Sequence, residues 1–202
     1  MWLRRYGGAT DTGQAFPIYI TVVAGLLLLA FAYVAVGQAA VNRNGAQTAA
    51  DAAALAAAQH TRDELAGQWV TDVLDPTKWQ DLFDGNLPDE QACARAAQLA
   101  EQNDAVLSGA MCQRPELLTY TVEVRTNKPV GDSIVPGVAD KRSRASATAV
   151  IDPLCSFVPP AADAGGDTLP QLTCKDKDWK LDPKDLTDLP EPKDLFDVHL
   201  AE

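Results

Sequence analysis

From Phe16 to Val36 the chain reads FPIYITVVAGLLLLAFAYVAV, twenty-one residues without a charged side chain. As a helix rising about 1.5 Å per residue, this run is about 31 Å long and matches the hydrocarbon thickness of a bilayer. Pro17 suits the entry turn, where a missing amide donor costs nothing, and Thr21 and Gly25 form a small patch suited to packing against another membrane helix. A second pattern follows at once: Ala46 to Ala58 holds nine alanines, the best helix formers, with Asn42, Asn44 and Gly45 before them. Ala49, Ala53 and Ala57 repeat at i, i+4 and i+8, a face of small side chains that lets another backbone approach closely. Asp51 is the one acid of this segment before Asp63, and is read either as a solvated or capping carboxylate or as a specific contact in an assembly.

Further on, the periodicities alternate between helix and strand. Thr61-Arg62-Asp63-Glu64 has the form of a capping box, with Leu65, Trp69, Val70, Val73 and Leu74 at helical spacing, so a new helix is expected to begin there. Asp75-Pro76 closes it, and Trp79, Leu82 and Phe83 share one face of a short turn ended by Gly85. The two tryptophans are expected in the core, with an exposed aromatic patch as the alternative. Asp89 to Gln102 predicts a helix with Cys93, Ala96, Ala97 and Ala100 on one face. Val106 to Cys112, Thr119 to Thr126 and Ser143 to Ile151 predict strands, the second alternating Tyr120, Val122 and Val124 with Thr121, Glu123 and Arg125. Helices followed by a small antiparallel sheet make an α+β domain.

From Asp152 the pattern dissolves into seven prolines and the Gly165-Gly166 pair. Twelve acids against five lysines give residues 152–202 a charge of −7, and a solvated, irregular tail is expected. Pro183-Lys184-Asp185-Leu186 and Pro192-Lys193-Asp194-Leu195 form a short repeat. The expected organisation is a stub over 1–15, a membrane span over 16–36, an alanine-rich helical extension over 37–60, an α+β domain over 61–151 and the tail over 152–202.

Charge narrows the partners. A net charge of −11 repels nucleic acid and makes a poor match for anionic headgroups. Arg4 and Arg5 precede the apolar run and Arg43 alone follows it closely, a positive-inside bias that places the N-terminus in the cytoplasm and the bulk outside. A cleaved signal peptide shares the charged start, and Ala35-Val36-Gly37 resembles a cleavage site, but its apolar core is usually about 7 to 15 residues, shorter than this run.

Cys93, Cys112, Cys155 and Cys174 all follow the span, where export favours disulfides. Both adjacent pairs are 19 residues apart, although four cysteines allow three connectivities. Catalytic chemistry is sparse: His60 and His199 are the only histidines, and no nucleophile or ligand set stands at motif spacing from either. Asp176, Asp178, Asp182 and Asp185 suggest calcium, yet the glycine and terminal glutamate of an EF-hand loop are missing. No cofactor, metal site or enzymatic activity is expected.

The Gly13-Gln14 entry and the stretch Gln47-Thr48-Ala49-Ala50-Asp51-Ala52-Ala53-Ala54-Leu55-Ala56-Ala57-Ala58 resemble the N-terminal region of TadG-like and TadE-like proteins of the Flp (Tad) pilus-assembly system. The resemblance covers residues 13 to 58 and extends loosely through the cysteine-bearing helix and two strands. It implies a single-pass, non-enzymatic component of a bacterial pilus or related secretion apparatus in the cell membrane. Its implied partners are lipid, other membrane proteins of the machine and further copies of itself. Neither Gly8 nor Gly13 has a glutamate five residues on, as a prepilin peptidase site would, so a retained anchor of the TadG kind is expected. From a different class, the rival expectation is a membrane-anchored binding module that uses its disulfide-tied domain and acidic tail.

Overall fold

In a computed structural model, residues 15–88, 91–130, 137, 140–159 and 169–201 are described. The expected stub, the start of the Asp89 helix and the Gly165-Gly166 pair lie outside them. Helix α1 runs unbroken from Ala15 to Thr71, about 86 Å at the usual rise. The expected start of a new helix at Thr61 is corrected: nothing between Ala56 and Thr61 breaks the helix. Thr61 turns inward, its Oγ1 donating a 2.7 Å hydrogen bond to the Tyr120 hydroxyl instead of capping.

Two short helices follow, α2 (Trp79–Phe83) and α3 (Ala92–Gln102), and then strands β1 (Ala105–Glu116), β2 (Thr119–Thr126) and β3 (Arg144–Pro153). These join β7 (Phe196–Leu200) in an antiparallel sheet of order β1-β2-β3-β7. Tyr120, Val122 and Val124 of β2 and Ala147 and Ala149 of β3 are buried on the face that meets α1, while their alternates face outward. Strand β1 is bulged between Leu107 and Cys112, with positive φ at Gly109 and Met111. Gly109 is glycine for its φ of 61°, a left-handed conformation that a side chain would strain, and the Glu123 carboxylate rests against it.

The C-terminal stretch differs from the expected solvated tail. It contributes β4 (Cys155–Phe157), β5 (Leu172–Cys174) and β6 (Asp178–Trp179), which form a second antiparallel sheet, then the one-turn helix α4 (Pro192–Leu195), and finally β7. Leu172, Leu195 and Phe196 are fully buried or nearly so. Leu172 stands alone among polar residues and prolines, whereas Leu195-Phe196 opens a short alternation of Phe196, Val198 and Leu200 with Asp197 and His199, too brief to stand out in an acidic, proline-rich stretch. The two repeat copies diverge in structure: Asp182 and Asp185 bridge a turn around the first, whereas Pro192 opens α4 in the second.

Trp69 and Trp79 are fully buried with ring centroids 5.3 Å apart, so the exposed-patch alternative is discarded. Trp79 meets Phe157 edge-on at 5.2 Å, and Phe83 lies 5.5 Å from Phe196. The end of α1, the α2 turn and the C-terminal stretch therefore share one aromatic cluster.

Candidate functional site

Helix α1 is the feature on which function can be built, because its halves meet two environments. Phe16, Tyr19, Leu26, Leu28, Phe31 and Tyr33 are all more than half exposed, on every side of the helix. Leaving a side chain of that size in water forgoes about 1.5 to 3 kcal/mol, so this half requires an apolar medium. Its most apolar window has a mean hydropathy of 2.4 and no buried residue, and among the described residues it is the one helix long and apolar enough to cross a membrane.

The other half is docked. Ala46, Ala49, Ala50, Ala53, Ala54, Ala57 and Ala58 are completely buried, at the spacing of one broad helix face. They pack on α3 and on the inner faces of β2, β3 and β7, where Ala92, Ala96, Ala100 and Ala149 are equally buried. Small side chains on both sides let the helix lie close to the sheet. The packing candidates therefore fall into two sets. Ala49, Ala53 and Ala57 are engaged within the chain itself. Thr21 and Gly25 remain on the exposed half, where the Thr21 hydroxyl donates to the Ile18 carbonyl at 2.8 Å and a side chain added at Gly25 would meet open space. Asp51 lies at the margin, accepting 2.7 Å from the Gln47 amide and lining a shallow depression with Ser146, Thr148 and Leu200.

Asn42 of α1 clasps the helix to the β2–β3 connection. Its Nδ2 donates to the carbonyls of Lys128 and Pro129, both at 3.3 Å, and its Oδ1 accepts from the Ser143 amide at 3.3 Å. One side chain thus fastens both strands of the β2–β3 connection to the helix where it leaves its apolar half. Arg114 is a second clasp that no pattern announced. Its guanidinium donates to the carbonyls of Leu117, Leu87 and Gly85 at 2.7, 2.8 and 2.8 Å, and lies 5.7 Å from the Tyr120 ring centroid. Side chain-to-backbone bonds of this sort depend on tertiary placement, which sequence spacing does not carry.

The cysteines resolve the open connectivity. Cys93 of α3 is bonded to Cys112 of β1, and Cys155 of β4 to Cys174 of β5, directly across the ladder. The two histidines stand in different surroundings. His60 borders a groove of about 450 Å³ between α1 and α3 with Leu55, Asp63, Arg95 and Leu99, and His199 lies on β7, 3.7 Å from Asp197 and 3.9 Å from Asp152. Asp182 and Asp185 turn their carboxylates onto the amides of Lys184 and Thr187 at 2.9 and 3.2 Å. Among the described residues, no group of three or more His, Cys, Asp or Glu could hold a metal ion.

No curated protein and no solved structure matches the chain. Residues 8–60, about a quarter of its length, match the Tad family model, Flp pilus-assembly TadE/G-like. The segment that supplies both the exposed apolar half of α1 and most of its docked alanine face is thus similar to the TadE/G-like domain of Flp pilus assembly.

Proposed function

We propose that the chain is a single-pass, non-enzymatic membrane component of a Flp/Tad-type pilus or a related secretion apparatus. The N-terminus lies in the cytoplasm, the first half of α1 in the bilayer, and the α+β head outside the membrane. The observation that carries this reading is the division of one continuous helix into a half exposed on all sides and a half buried by its own head, within the segment that matches the family model. Two disulfides in the head agree with an oxidising compartment. Because the alanine face is already occupied, contacts with other components of the machine fall to the exposed half, including Thr21 and Gly25, and to the outer surface of the head.

Photo-crosslinkers at Thr21 and Gly25, with protease added to spheroplasts, test the reading. The expected result is crosslinks to membrane proteins of the pilus machine and digestion of the head in intact spheroplasts. A head digested only after lysis would refute the orientation. Normal fibre assembly in a deletion strain would refute the assembly role.

A further inference from the structure

We propose that the end of the head next to the membrane-spanning half is a basic collar that docks on anionic lipid headgroups. This inference rests on the membrane-anchored reading above. The chain is acidic as a whole, but its charge is segregated. Residues 152–202 carry −7, whereas residues 125–144 carry Arg125, Lys128, Lys141, Arg142 and Arg144 against Asp132 and Asp140, a charge of +3.

The fold brings Lys128, Lys141, Arg142 and Arg144 to the end of the head where α1 leaves its exposed half. Asn42 holds the Lys128 and Pro129 carbonyls and the Ser143 amide, and the Val130 amide donates to the Lys141 carbonyl at 2.8 Å. Arg43 is the next residue on α1. Asn42 lies six residues past Val36, about 9 Å along the helix axis. The headgroup layer is about 5 to 7 Å deep, so the collar stands at its outer edge, well within the roughly 8 Å screening length at physiological salt. Arg43, Lys128, Lys141, Arg142 and Arg144 are all exposed.

A second observation points to an anion. Arg125 and Arg144 are directly opposite each other across β2 and β3, a like-charge pair that opposes strand pairing and that an anion at this end would offset. Among the described residues, the acids at this end are Asp104, whose carboxylate lies 3.4 Å from Lys128 Nζ, Asp140, and Glu101 in the last turn of α3, and Asp132 adds one more in the sequence. Glu123 lies farther along the sheet against Gly109. Together they leave the collar with a net positive charge. Each Lys or Arg close to an anionic surface strengthens attachment by about fivefold, so even a partly neutralised collar distinguishes anionic from zwitterionic lipid.

The test reconstitutes the full chain in phosphatidylcholine vesicles containing phosphatidylglycerol. Electron spin resonance then measures the preference of the protein surface for spin-labelled phosphatidylglycerol over spin-labelled phosphatidylcholine. The expected preference is about fivefold, reduced to less than about twofold when Arg43, Lys128, Lys141, Arg142 and Arg144 are all changed to glutamine. It is also expected to be reduced by 0.5 M sodium chloride in the unaltered chain and unchanged by Lys175→Gln, Lys177→Gln and Lys180→Gln at the far end. A preference that survives both the collar substitutions and salt would overturn the proposal, as would one lost equally with the far-end lysines. So would collar substitutions that spare lipid preference and instead abolish crosslinks to an acidic protein. Failure of the chain to float with pure phosphatidylcholine vesicles would refute the anchored reading itself, a separate outcome from flotation without lipid preference.

Discussion

The Thr61 hydroxyl donates a 2.7 Å hydrogen bond to the Tyr120 phenolic oxygen, joining the middle of α1 to the central strand β2 in a region where both residues are buried. Tyr120→Phe is expected to destabilise the detergent-solubilised chain by about 0.5 to 1.5 kcal/mol, because the bond from the Thr61 hydroxyl is removed. Thr61→Val combined with Tyr120→Phe is expected to be less destabilising than the two single effects added together. Strict additivity in thermal unfolding would show that the bond does not couple helix and strand.

The alanine face predicts steric sensitivity on one side of α1 only. Ala53→Leu or Ala57→Leu inserts bulk where no space exists and is expected to cost about 1 to 3 kcal/mol each. Gln59→Leu, on the exposed side, is expected to stay within about 0.5 kcal/mol of the unaltered chain. Unfolding midpoints decide this; equal effects on both sides would contradict the docked arrangement.

The Asn42 clasp is expected to control local opening. Asn42→Ala removes one of the two acceptors of the Ser143 amide, the Thr126 hydroxyl at 3.2 Å being the other, and hydrogen exchange at Ser143 should accelerate by about threefold, while exchange at Val122 and Val124 keeps its protection. Unchanged exchange at Ser143 would show that the bond to the Thr126 hydroxyl holds that amide without Asn42.

Opening the Cys93–Cys112 loop by changing both cysteines to alanine is expected to cost about 3 kcal/mol, following the entropy of a closed loop with its ends 19 residues apart. Denaturant unfolding of the paired variant measures it, and a loss below about 1 kcal/mol would mean that the helix-to-strand contact holds α3 without the bridge.

The corner after α1 carries a pH-sensitive ion pair. Lys78 Nζ lies 2.8 Å from Asp72 Oδ1, and that bond, followed by the one from Gln68, holds the Asp72 carboxyl below its ordinary 3.8. The same bond raises Lys78 above its ordinary 10.5. A lowered carboxyl stabilises the fold above its unfolded value and loses that contribution as pH falls through the folded one. The raised amine stabilises below 10.5 and loses its contribution as pH rises through the folded value. The corner is therefore intact across the neutral range and loosens at both extremes. Carboxyl chemical shifts should show Asp72 of Lys78→Met titrating at higher pH than in the unaltered chain; coincident curves would exclude the pair.

What could be read in the residues and what could not divides along physical lines. The apolar run, the alanine face and the alternation of β2 are repeated signals, and each became the element it announces. Thr61 misled because a capping box is local, and it was overridden by a tertiary bond to Tyr120, fifty-nine positions away. The C-terminal stretch misled because β4 to β7 are held by few anchors, Leu172 and the Leu195-Phe196 pair with its short alternation, set in a composition typical of disordered chain. Asn42 and Arg114 bond mainly to backbone carbonyls, which every residue possesses, so no choice of partner residue could mark them in advance.

The continuity of α1 has a mechanical consequence. No proline follows Pro17 within the helix, and its far half is fixed to the sheet along a full face, so the rod and the head move as one body. A tilt of about 10° imposed on a lever about 86 Å long displaces its far end by about 15 Å. Small reorientations of the buried end, whether set by bilayer thickness or by a neighbouring helix, therefore become displacements of the head several times larger than the contacts that cause them.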